Sequence, residues 1–171
     1  KRISTHAIEE VLRKFDLSDL VGMAFTQNGH PFYIIKKPGQ FTFGYDVSTG
    51  LWHERVSYQQ DDWRISHQVL FDDKILVSDQ TTNNIYELDP DTYTENGQPI
   101  VSIATSPSLW AEATRARQAN MIIDFETGVG SATNPQAMLR WSDDGGRTWS
   151  NEHWTGLGVV GDFLARAKWN R

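Results

Sequence analysis

The chain has 171 residues, 39% hydrophobic, 12% aromatic and 22% charged, the make-up of a folded protein with room for one domain or two small ones. A net charge of -6 with scattered basic residues argues against a cationic track for phosphate backbones, so no direct nucleic-acid contact is expected, a local basic face assembled in space aside. The lack of cysteine excludes disulfides and thiolate metal sites, and no apolar run approaches the ~20 residues of a membrane span.

Residues 4–16 predict a short helix within an N-terminal segment, 1–18. Ser4 or Thr5 can cap it, Glu9 and Glu10 sit near its start, and Ile8, Val11, Leu12 and Phe15 form one apolar stripe. Such a stripe packs against its own domain in the ordinary case. The sharper reading is a linker helix docked on a neighbouring subunit.

From Val21 the pattern turns to short strands. Val21–Thr26, Phe32–Lys36, Phe41–Asp46 and Leu51–Val56 are separated by Asn28-Gly29, Pro38-Gly39 and Ser48-Thr49-Gly50, all turn-forming. Four short antiparallel strands in about 40 residues make one propeller blade. A second set follows at Ile65–Phe71, Lys74–Ser78, Asn84–Leu88 and near Pro99–Ile103. A third, less regular, would be Met121–Phe125, Met138–Trp141, Thr148–Trp154 and Phe163–Trp169. Ser106–Gln118 reads as an insertion before it, a short helix or long loop, and its Trp110 is the candidate interface residue.

Within the third set, Ser142-Asp143-Asp144-Gly145-Gly146-Arg147-Thr148-Trp149 matches the Asp-box pattern and resembles the blade hairpins of sialidase-like propellers. Asp144 is expected to accept backbone N–H bonds across the turn that Ser142 opens, the Asp143-Asp144-Gly145-Gly146 cluster to supply its positive φ angles, and Thr148-Trp149 to lead out. Trp149 is expected to pack between neighbouring sheets. Tyr45–Trp52 and Tyr86–Tyr93 repeat the arrangement of an aromatic entering and an aromatic leaving a turn. The fold expected is therefore all-β: a partial β-propeller of antiparallel four-stranded blades with a short N-terminal helix, or else a β-sandwich. The expectation runs the blades through 19–171 as one β-rich domain, a piece of a longer propeller protein.

No catalytic, cofactor-binding or metal-binding constellation is legible. The five histidines show no metal spacing, Gly128-Val129-Gly130 lacks the ending of a phosphate loop, and there is no nucleophile elbow. A glycosidase needs two convergent carboxylates, or a tyrosine with an acid and an arginine cluster. Asp61, Asp62, Asp72, Asp73, Asp89 and Asp91 all fall in turn contexts. A glycan-binding or sialidase-like propeller stays as the alternative because of the Asp box and seven tryptophans.

Gly50-Leu51-Trp52-His53-Glu54-Arg55, Asn84-Ile85-Tyr86-Glu87-Leu88 and the run from Leu139 to Ser150, in that order, resemble the packaged-DNA stabilisation proteins of short-tailed bacteriophages. The likeness covers roughly Ile3 to Trp169 and corresponds to the later part of that family's length. It implies a propeller-based, non-enzymatic tail hub, made in the bacterial host cytoplasm and placed in the virion tail. Its implied partners are portal and other tail proteins, with a homo-oligomeric ring in the full-length protein and no cofactor. The family offers no catalytic residue to carry over.

Overall fold

The computed structural model describes residues 2–109, 118–130 and 132–170. Its contacts gather into two compact units, Lys1–Ile103 and Ala104–Arg171, where the sequence reading had one β-rich domain. All ladders among the described residues are antiparallel.

The N-terminal unit begins with α1 (His6–Lys14), two residues inside the expected 4–16 at either end. Thr5 is the cap, its hydroxyl accepting from Ile8 N at 3.4 Å, while Ser4 donates instead to the Glu9 carboxylate at 2.6 Å. A four-stranded sheet follows, made of β1 (Val21–Gln27), β2 (His30–Lys37), β3 (Phe41–Asp46) and β4 (Leu51–Glu54) in sequential order. Asn28 and Gly29, with φ of 51° and 79°, form the two-residue turn that the right-handed twist of a hairpin favours. The apolar stripe of α1 packs on one face of this sheet, Ile8 against Phe41 and Phe43 with Val11, Leu12 and Phe15 beside them.

The opposite face carries Met23, Phe25 and Ile34 and meets Ile65 and Val77 of a second sheet, with Trp63 just ahead of it. Burying each such side chain contributes about 1.5–3 kcal/mol, so this seam is the main core of the unit. The second sheet has three strands, β5 (Ile65–Phe71), β6 (Lys74–Asp79) and β7 (Ile85–Glu87). The fourth strand expected near Pro99–Ile103 is not in it. The Asn96-Gly97 turn instead pairs β8 (Thr94–Glu95) with β9 (Gln98–Pro99) as a small hairpin, and Ile100–Ile103 lie in no ladder.

In the C-terminal unit the third set of strands does not make a four-stranded meander. β10 (Asn120–Ile123) pairs with β13 (Ala167–Asn170), and β11 (Gln136–Leu139) pairs with β12 (His153–Gly156). The outer pair therefore brackets the inner hairpin in sequence. The Trp169 indole N–H donating to the His153 carbonyl at 2.8 Å ties the two ladders together, with Ala167 and Trp169 buried.

Candidate functional site

The Asp-box loop connects β11 to β12 and is organised by one carboxylate. Its neck is closed by Ser150 N donating to Trp141 O at 2.9 Å and Trp141 N to Ser150 Oγ at 3.1 Å. Inside, Asp144 Oδ1 accepts from Arg147 N at 2.9 Å, Thr148 N at 2.8 Å and Ser142 Oγ at 2.8 Å, and Oδ2 accepts from Thr148 Oγ1 at 2.7 Å. Gly145 and Gly146 take φ of 74° and 90°, and Gly146 N donates to Ser142 Oγ at 2.8 Å. The Thr148 amide, then the Thr148 and Ser142 hydroxyls, hold the Asp144 carboxyl at a pKa of about 2 against slight desolvation. A carboxylate with four donors fixes a loop and has little capacity left for proton transfer.

Trp149 does not pack between sheets. It lies in the loop rather than in a ladder and is 46% exposed, with the Arg140 guanidinium 5.9 Å from its ring centre. Trp141 instead stacks on His153 at 4.6 Å. Trp110, the expected interface residue, lies outside the described residues, as does most of the Ser106–Gln118 insertion.

The N-terminal unit holds a polar cluster that the sequence reading missed. Lys36 is fully buried, its ammonium donating to the carbonyls of Trp63 and Ile65 (2.7 Å to the latter), to Gln80 Oε1 at 2.7 Å, and pairing with Asp62 at 3.2 Å. Asp62 also accepts from Gly39 N at 3.0 Å and from the Gln80 amide, so it is far more than a turn residue. Beside it, buried Arg64 pairs with Asp79, which further accepts from Thr81 and Thr82. The signal was present in the alternation: Lys36 follows Phe32 and Ile34 on the inward phase of β2, and Asp79 follows Ile75 and Val77 on that of β6.

Arg55 completes the seam. Its guanidinium carbon lies 5.4, 4.7 and 5.0 Å from the rings of Phe25, Phe32 and Trp63, and its Nε–H donates to His53 Nε2 at 2.9 Å. Burial first, and the Arg55 charge second, push the His53 pKa down, so the imidazole is the neutral acceptor this bond requires. Every one of these groups is turned inward and partnered, which is the behaviour of a lock between sheets.

A surface hollow of about 210 Å³ is lined by Gln40, Phe41, Thr42, Glu54, Val56 and Asp61. It offers two carboxylates but neither the tyrosine nor the arginine of a sialidase site. No group of three or more metal-ligating side chains occurs among the described residues.

Against this geometry, residues 1–93 match the family model described as Bacteriophage P22 Gp10, beta-propeller. The chain belongs to the P22 Gp10 family. Residues 103–171 match a second model, Bacteriophage P22 Gp10, beta-sandwich. No curated protein matches the chain. The P22 Gp10 family is a phage DNA-stabilisation and tail-hub family of structural proteins. Both architectures weighed from the sequence are thus present in succession, propeller first and sandwich second, and the Asp box falls in the sandwich part. The four-stranded and three-stranded sheets of the N-terminal unit lie within residues 1–93, the stretch matched by the propeller model.

Proposed function

We propose that this chain is part of a phage tail hub that stabilises packaged DNA and joins the portal to other tail parts. The observation that carries the reading is the two Gp10 matches in chain order, residues 1–93 and 103–171. The site geometry agrees with it: the charged groups of the N-terminal unit are spent on holding two sheets together, and Asp144 on holding a loop. The chain is not an enzyme on this reading, takes no cofactor, and resides in the virion tail after synthesis in the host cytoplasm. With a net charge of -6 it contacts other virion proteins, and copies of itself in a ring, rather than the DNA. A nonsense allele of the gene in its phage tests the role. Particles lacking the product are expected to lose packaged DNA and to lack tail parts; filled, fully tailed particles would rule the role out.

A glycan-binding reading is kept alive by Trp149 and Trp154, which are 46% and 57% exposed in the C-terminal unit. A glycan array with a fluorogenic sialoside assay separates the two. Saturable binding or turnover would promote it.

A further inference from the structure

The second sheet of the N-terminal unit has an open side. Asp79 N donates to Asn84 O at 3.1 Å and Leu88 N to Ile75 O at 2.9 Å, so in β7 the even-numbered residues turn their backbone groups toward β6. The amides and carbonyls of Ile85 and Glu87 therefore face outward, and among the described residues no strand pairs with that edge. Ile85 is 71% exposed there. The neighbouring sheet has four strands and this one three, so one strand position is open.

The same chain carries strand-forming residues without a sheet. Ile100, Val101 and Ile103 are β-branched, 57%, 65% and 79% exposed, and lie in no ladder. The β8–β9 hairpin just before them is tied to Trp63, ahead of this sheet, and to β7: Glu95 accepts from the Trp63 indole at 2.9 Å, and Asn96 from the Tyr86 hydroxyl at 3.0 Å. The segment follows directly on this hairpin and, among the described residues, pairs with no strand. On another copy the identical edge is likewise unpaired among the described residues.

We propose that residues 100–103 of one copy add as a fourth strand to the Ile85–Glu87 edge of a second copy. Main-chain hydrogen bonds supply the attraction, and Val101 and Ile103, which share one face of the added strand, cover the exposed Ile85 side chain. Such a contact joins two different surfaces, so it is head-to-tail and closes a ring where its rotation closes. The proposal rests on the assembly reading above.

The chain has no cysteine, which makes cross-linking clean. Ile85→Cys and Val101→Cys are placed on separate copies carrying different mass tags, mixed, and treated with a short bis-maleimide. A mixed dimer is expected. An intrachain product from the double variant with no mixed dimer would overturn the proposal, as would a monomeric mass by light scattering at every concentration. Val101→Pro and Ser102→Pro, one on each phase of the strand, are expected to leave the melting temperature of dilute, monomeric samples unchanged, because within one copy the segment is in no ladder. At least one should weaken self-association roughly tenfold or more through a lost ladder bond. Unchanged oligomer mass in both would also overturn it. A variant that loses the mixed dimer yet still joins purified particles counts against this contact alone, whereas an intact dimer absent from particles counts against the tail reading.

Discussion

Replacing Lys36 with methionine probes the lock between the two sheets of the N-terminal unit. The change keeps an unbranched stem and removes a buried cation that serves the Trp63 and Ile65 carbonyls, Gln80 and Asp62. A buried carboxylate stripped of its cation costs about 3–5 kcal/mol, and each buried carbonyl left without a donor about 1–3 kcal/mol. Asp62 keeps the Gly39 amide and the Gln80 side chain, which offsets part of the loss. The net expectation is about 3–4 kcal/mol, a large share of the ~5–15 kcal/mol that holds a domain together. Native-state hydrogen exchange at the Ile34 and Val77 amides, in the core on either side of the seam, reads this unit alone. Lys36→Met/Asp62→Leu should be less destabilised than Lys36→Met, because no unpaired charge remains. A single-variant loss below about 1 kcal/mol, or no rescue in the double, would refute the reasoning.

Three further outcomes are expected. Gly44→Ala places a Cβ 2.6 Å from the His53 ring and 3.1 Å from Ile34 Cδ1, and should cost about 1–3 kcal/mol in urea denaturation. Acid should weaken the N-terminal unit through Asp79: burial raises its pKa, but the Arg64 bond and the Thr82 and Thr81 donors outweigh this and hold it well below 3.8. A depressed carboxylate stabilises above its unfolded pKa, so the contribution is full above pH 3.8 and lost as pH falls below it, and Asp79→Asn should flatten that limb of a pH–stability curve. Asp144→Ala should speed amide exchange at Arg147 and Thr148 while leaving exchange in β11 and β12 little changed, since the four bonds it removes all lie within the loop.

What was legible in the sequence was local. The turns at Asn28-Gly29 and Asn96-Gly97 are fixed by residues that accept positive φ, and the strands flanking the first follow from alternation, so the first sheet was readable almost to its ends. The Asp box was readable for the same reason, because Asp144 bonds only to residues within four positions of itself. What was not legible depends on distance along the chain. Lys36 reaches Ile65 and Gln80, and the pairing of β10 with β13 encloses the whole inner hairpin, which no repeat of turns and aromatics announces. Trp149 was misplaced because an aromatic following a turn was assumed to enter a strand, whereas β12 starts only at His153. Arg55 ends the Gly50–Arg55 stretch in an ordinary polar context, and its place among three aromatic rings arises only when both sheets are assembled.

Quantitative mass spectrometry of density-purified particles separated into heads and tails tests most directly the proposal that this chain is a structural part of the phage tail. The prediction is that peptides from both Gp10-matched regions, 1–93 and 103–171, co-purify with tails in a constant ratio to the portal and tail proteins. Peptides found only in the particle-free lysate, with tails complete without them, would contradict it.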